Sequence, residues 1–171
     1  MVVFSNYPKT DLKPFNWKNN IRDIFLSVLI GVWVGVLIFL YDRFLFKTAA
    51  LSNLSIPAWA GALASLYGAI NEEVFLRLFL FSLIYFLLSK THKQRDVLLW
   101  TTNILVALIF GLGHLPAAFK IMSPSNMDLF RILLLNGIGG IAFGWLYWTK
   151  GLWSASLAHF ITDIVIHMIF V

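Results

Sequence analysis

Long apolar stretches alternate with short polar segments along most of the chain. Five stretches can be distinguished, at residues 23–41, 58–88, 97–115, 129–148 and 152–171. A membrane-spanning helix requires about 20 mostly apolar residues. The pattern therefore predicts an all-α fold, a polytopic transmembrane bundle of about five membrane-spanning helices.

Single residues refine this prediction. The second stretch, as one helix, would be about 46 Å long against a hydrocarbon core of about 30 Å, so it must tilt, protrude or break. Pro116 is expected to end the third stretch. Gly31 and Gly35 lie four residues apart in the first stretch, a spacing that favours close packing against another helix.

Composition supports a membrane protein. The chain is 60% hydrophobic and 12% charged, and its mean hydropathy is +0.82. Soluble domains are ordinarily about half apolar and about a quarter charged. The excess apolar surface is therefore expected to face lipid. The absence of cysteine excludes thiolate metal sites and cysteine nucleophiles.

Of the 13 basic residues, Arg77 lies inside the second stretch and the other twelve are scattered along the chain, which argues against nucleic-acid binding despite a net charge of +5. Eight of these twelve fall in segments on the same side of the membrane as the N-terminus and four on the opposite side, which favours a cytoplasmic N-terminus. We expect a cytoplasmic tail at residues 1–21 and a membrane domain at 22–171. Within that domain, we expect the first helix and a loop at residues 22–57 and a core at residues 58–171.

The first polar cluster inside an apolar stretch is NEEVFLR, residues 71–77. Glu73 and Arg77 lie four apart on one helix face and are expected to form an ion pair. Glu72 is rotated by about 100° from Glu73 and can point elsewhere. A second carboxylate in a dry site suits a general base. A purely structural reading, in which both acids neutralise Arg77, stays open.

Two further clusters contain histidine. FGLGH places Phe110 and His114 four apart near the end of the third stretch, where a lone histidine is often interfacial. HFITD places His159 and Asp163 four residues apart on one helix face. His167, four residues further, extends them into a polar stripe along that face. The carboxylate can orient the imidazole, or both can bind a metal ion. His167 is expected to be structural or interfacial.

Together and in this order, EExxxR, FxxxH and HxxxD resemble the family of CAAX prenyl endopeptidases and bacteriocin-processing enzymes, also called CPBP or Abi proteins. The resemblance covers Glu72 to Asp163. It implies a polar intramembrane chamber in which Glu72 and His114 activate water for attack on a peptide carbonyl. It also implies that His159 and Asp163 lie on the oxyanion side, with Glu73, Arg77 and Phe110 in supporting positions.

Position 163 carries Asp where the family also uses Asn. An ionised Asp cannot donate a hydrogen bond, so we expect Asp163 to orient His159 and His159 to be the donor. CAAX-cleaving members have more membrane helices than five. The short chain fits a minimal enzyme of a prokaryotic cell membrane that trims a peptide, a lipoprotein tail or a membrane protein, with membrane lipids and that substrate as its partners.

Two other functions remain open at this stage. Glu72, His114 and His159 could bind zinc in a metalloprotease, although no HExxH motif is present. The expectation is that no cofactor is needed. A non-enzymatic CPBP-like subunit or immunity factor, which binds a membrane-protein partner, would retain the same fold.

Overall fold

The fold was analysed in a computed structural model, which describes residues 17–46, 58–91 and 94–169, with side chains for 21–46, 59–91 and 94–167. Residues 1–16 of the predicted cytoplasmic tail lie outside the described residues. Every regular element in the described part of the chain is helical, which confirms the all-α prediction. Three helices, at Ile21–Phe46, Arg95–Ile121 and Asn126–Lys150, are long and apolar enough to cross a membrane.

Five helical rods correspond to the five apolar stretches. The first is α1 (Trp17–Tyr41), which widens into a π-helical turn at Asp42–Phe46. The second begins as α2 (Ala58–Glu73), widens into π-helix at Val74–Phe81 and ends as α3 (Ser82–Ser89). The others are α4 (Arg95–Ile121), α5 (Asn126–Lys150) and α6 (Leu152–Ile164), the last followed by a π-helical turn at Val165–Ile169.

The second rod neither ends nor kinks into a loop. It changes pitch directly after Glu73, where the π-helical stretch begins. Such wide turns occur often at functional sites, because they alter which face of the helix the following residues occupy. Here the change from α-helix to π-helix follows Glu73 directly, so it lies between Glu73 and Arg77.

The predicted helix end at Pro116 is wrong. α4 continues through Pro116 to Ile121, where it ends as Met122 adopts an extended conformation. Proline removes one backbone donor from a helix, and membrane helices tolerate this where neighbouring groups satisfy the freed carbonyl. His114 therefore lies inside α4 rather than at its end.

α6 packs against α1, α2 and α5, and α4 packs against α5. The glycine prediction for the first stretch is confirmed. A β-carbon at Gly31 would lie 2.6 Å from the Ala158 carbonyl oxygen, and one at Gly35 would lie 2.7 Å from Val165. Thr162 also donates a hydrogen bond to the Gly31 carbonyl at 3.0 Å. These contacts fix the position of the helix that carries His159 and Asp163.

Ion pairs join α1 to α5 near both ends. Lys150 Nζ lies 2.8 Å from Asp23 Oδ1 at one end, and Arg131 pairs with Asp42 at the other. The two helices are therefore antiparallel. A Ser125–Asp128 capping box starts α5, and Gly151, at φ 97°, makes the sharp turn into α6.

Large apolar side chains cover the outside of the bundle. Exposed examples come from four helices: Phe25, Trp33, Trp59, Phe79, Leu108 and Phe130. A contiguous apolar exterior of this kind is the surface that lipid would contact. The interior contains Phe81, Val106, Phe143 and Leu146, together with several buried polar groups.

Candidate active site

The two glutamates at the end of α2 have different surroundings. Glu73 is fully buried, and its Oε2 accepts a hydrogen bond from Arg77 Nε at 2.9 Å. This confirms the predicted ion pair, in which both side chains have no exposed surface. Glu72 points elsewhere, with 38% of its side chain exposed. Glu73 is therefore committed to neighbours, whereas Glu72 is accessible.

Three carboxylates surround the buried imidazole of His159. Its Nδ1 lies 3.1 Å from Glu73 Oε1, a hydrogen bond between α6 and α2. Its Nε2 lies 3.7 Å from Asp163 Oδ2 and 3.8 Å from Glu72 Oε2. A carboxylate can only accept, so His159 donates through Nδ1 to Glu73. The two partly exposed carboxylates, Glu72 and Asp163, lie on the opposite side of the ring.

The sequence predicts that Asp163 orients His159, and this role stays a prediction. The carboxylate within hydrogen-bond distance of the ring belongs to Glu73. Asp163 is near the Nε2 edge instead, where Glu72 also lies. The spacing of residues within one helix predicted the His159–Asp163 proximity, whereas the Glu73 contact crosses between helices and depends on how α2 and α6 pack.

Two aromatic rings pack against the His159 imidazole and restrict its orientation. His159 stacks on Phe143, with ring centroids 4.7 Å apart and planes 16° apart. Phe110 contacts the same imidazole edge to face at 5.7 Å and contacts His114 at 4.8 Å. Phe110 thus lies between the two motif histidines. Phe143 was not identified from the sequence, because an aromatic residue in an apolar helix carries no distinguishing pattern.

His114 has one ring nitrogen occupied by its own helix. Nδ1 lies 2.9 Å from the Phe110 carbonyl oxygen, which can only accept. The neutral ring therefore keeps Nε2 unprotonated and able to accept a proton. The convergence of Glu72, His114 and His159 around one water stays a prediction.

Small residues let α2 approach α6 beside these groups. A β-carbon at Gly68 would lie 3.7 Å from Glu72 Oε1 and 3.8 Å from Asp163 Oδ2. Gly61, two turns earlier, faces the β-carbon of His167 at 4.0 Å. His167 itself is exposed at the far end of the stripe.

The division of residues 22–171 into two parts stays a prediction.

Asn103, in α4, is a fully buried polar residue that sequence reasoning missed. Its signal was present, since an amide in the middle of an apolar stretch is unusual. The sequence interpretation of the third stretch rested on His114, an ionisable residue, and an amide was not included. Asn103 Nδ2 donates to the Ile141 carbonyl of α5 at 3.0 Å.

The zinc alternative requires Glu72, His114 and His159 to act as ligands together. Within the described part of the chain, no group of three His, Asp or Glu side chains is arranged to hold a metal ion. His159 Nδ1 is occupied by Glu73, so only its Nε2 could serve as a ligand. Chelation tests metal dependence directly, as described below.

Comparison with known proteins connects this site to a protease family. The model for type II CAAX prenyl endopeptidase Rce1-like proteins matches residues 53–165, which include all three motifs. The long apolar helices and this family match support a helical membrane protein. The chain belongs to the Rce1-like family, CAAX-type intramembrane proteases that act on a peptide or protein substrate. No match was found among curated proteins or solved structures.

Proposed function

We propose that the chain is a glutamate-dependent intramembrane endopeptidase, which hydrolyses a peptide bond of a membrane-associated or lipidated peptide or protein. One observation carries the proposal. In a chain of this protease family, Glu72 and Asp163 approach one edge of the His159 imidazole while Glu73 holds the other edge. The site thus combines an accessible proton acceptor with an oriented hydrogen-bond donor.

Glu72 is the general base in this mechanism. It accepts a proton from water as the water oxygen forms a bond to the peptide carbonyl carbon. His114 assists through Nε2, which its Phe110 contact leaves as an acceptor. The proton then passes to the amide nitrogen when the C–N bond breaks. Glu73 cannot take this role, because it is buried between Arg77 and His159.

His159 stabilises the oxyanion that forms on the carbonyl oxygen. Donation through Nε2, with Nδ1–H already donated to Glu73, requires a doubly protonated ring. Asp163 and Glu72 near Nε2, and Glu73 at Nδ1, supply the countercharge that such a cation needs in a dry site. Asp163 therefore supports the ring electrostatically rather than by contacting the oxyanion.

The decisive experiment uses purified protein in detergent with a panel of lipidated and unlipidated membrane peptides, analysed by mass spectrometry. Glu72→Gln keeps the shape of the side chain and removes the proton acceptor, so cleavage should fall by about two to four orders of magnitude. His114→Ala should act in the same direction. Asn71→Ala is the matched control, because the side chain of this exposed neighbour donates to the Tyr67 carbonyl of its own helix.

Chelation separates the alternatives. Full activity in the presence of a chelator supports the glutamate mechanism. Loss with chelator and recovery with added zinc would instead assign Glu72 and the histidines as ligands of a metal that activates the water. A Glu72→Gln protein that still performs its cellular task would favour a partner-binding subunit.

A further inference from the structure

A second polar cluster lies behind the candidate site, away from the accessible carboxylates. It consists of the fully buried side chains of Arg77 and Asn103, which both approach Gly144. Arg77 uses Nε to bind Glu73, but its Nη1 and Nη2 have no hydrogen-bond partner within the described part of the chain. Asn103 Oδ1 is likewise unpaired there. Leaving buried donors and acceptors of this kind without a partner is unfavourable, and more so for a charged group.

The orientation of the Asn103 amide is determined by its neighbours. The Ile141 carbonyl can only accept, so Nδ2 faces Ile141 and Oδ1 faces away from it. Gly144, one helical turn further along α5, lies on that side. A β-carbon at Gly144 would be 1.7 Å from Asn103 Oδ1 and 3.3 Å from Arg77 Nη1. A free acceptor and a free cationic donor therefore face the same glycine.

We propose that Asn103 is a positioning residue of the active site. Its Oδ1 and the Arg77 guanidinium face each other beside Gly144 without a direct hydrogen bond, and the attraction between this oxygen and the cation keeps Arg77, and through it Glu73, in place against His159. The connection thus runs from the α5 backbone through Asn103 to Arg77, which binds Glu73 Oε2. Glu73 Oε1 then contacts His159 Nδ1 at 3.1 Å. We call this connection the relay. It joins three helices to the His159 imidazole on α6: α5 through the Ile141 carbonyl, α4 through Asn103, and the second rod through Arg77 and Glu73.

Gly144 makes the relay possible. Any side chain there would displace the Asn103 amide, because no β-carbon can approach an oxygen to 1.7 Å. Gly137, on the same helix, has nothing within 4 Å of an added β-carbon. The two glycines therefore provide a matched pair of alanine variants, of which only one disturbs the relay.

The first readout is independent of turnover, which matters because the inference rests on the proposed function. Protein labelled with ¹⁵N-histidine is examined by NMR in detergent, and the His159 signals are assigned by their loss in His159→Gln. In the wild type, the Nδ1 proton donated to Glu73 should exchange slowly and resonate downfield. In Asn103→Ala and in Gly144→Ala, that signal should broaden or move upfield. Gly137→Ala should leave it unchanged.

The second readout is kinetic. Disturbing a partner that orients a catalytic group typically costs 10- to 100-fold in activity, so kcat should fall about tenfold or more in Asn103→Ala while KM stays constant. The two changes should not be additive: in Asn103→Ala/Gly144→Ala the new methyl group has space, so the double variant should be no worse than Asn103→Ala alone. If Asn103→Ala does not fold, this better-packed double variant is measured in its place.

An unchanged Nδ1 signal together with unchanged kcat in folded Asn103→Ala would overturn the relay, as would fully additive losses. If the wild-type protein cleaves no peptide, the protease proposal fails, but the NMR comparison still decides whether Asn103 and Gly144 position His159.

Discussion

Individual residues divide the polar site into an accessible part and a buried part. Glu72 and Asp163 are partly exposed and approach the Nε2 edge of His159, whereas Glu73 and Arg77 are fully buried. Adjacent glutamates in one sequence motif thus have different surroundings. Glu72 is accessible, whereas Glu73 is hydrogen-bonded to His159 and Arg77.

The Glu73–Arg77 pair yields a stability prediction. Arg77→Met should destabilise the protein by about 3–5 kcal/mol, because it leaves the Glu73 carboxylate buried without its cation. Arg77→Met combined with Glu73→Gln removes both charges and should recover much of that loss. The measurement is thermal or denaturant unfolding in detergent. Equal stability of the single and double variants would show that the charge pairing is unimportant there.

At the scale of helices, α6 is the element on which the site depends. It carries His159 and Asp163 and is held by α1 through Gly31, Gly35 and Thr162. α1 lies outside residues 53–165, the part matched by the family model. The chain therefore uses a helix outside the matched region to position a helix inside it.

Gly31→Ala tests this packing. The added methyl group would meet the Ala158 carbonyl oxygen at 2.6 Å, so α1 must shift away from α6. Overpacking of this kind costs about 1–3 kcal/mol, although alanine favours helix over glycine by about 1 kcal/mol. Unfolding midpoints in detergent should fall for Gly31→Ala and stay constant or rise for Gly137→Ala. A rise in both would contradict close packing at Gly31.

At the scale of the whole molecule, the bundle has two polar ends joined by apolar helices. The Asp23–Lys150 pair marks one end and the Asp42–Arg131 pair the other. α4 is long and apolar enough to span the membrane. The segment before it, at residues 90–94, and the segment that joins it to α5, at residues 122–125, should therefore lie on opposite sides of the membrane.

The distribution of basic residues predicts which side is cytoplasmic. The chain has no cysteine, so Thr91→Cys and Ser123→Cys each introduce a unique label site. In intact cells, a membrane-impermeant maleimide should label Ser123→Cys and not Thr91→Cys, because the loop around residue 91 is expected to be cytoplasmic. Permeabilised cells, in which both should react, provide the control. The reverse pattern would invert the proposed orientation.

The sequence by itself determined the helices and the candidate residues. Runs of apolar residues predict membrane helices because lipid cannot satisfy backbone hydrogen bonds. Ionisable side chains inside such runs are costly, which singles out Glu72, Glu73 and His159. Four-residue spacing also predicted the Glu73–Arg77 pair, because both residues belong to one helix.

Tertiary structure decided the contacts between helices. The Glu73–His159 hydrogen bond joins residues 86 positions apart, and Phe143, Asn103 and Gly144 approach the site only through the packing of α4, α5 and α6. The structure also shows that α4 continues past Pro116. Helix periodicity specifies which residues share a face, but the register between two helices is set by which side chains fit together, and that fit is not encoded in the spacing along either helix.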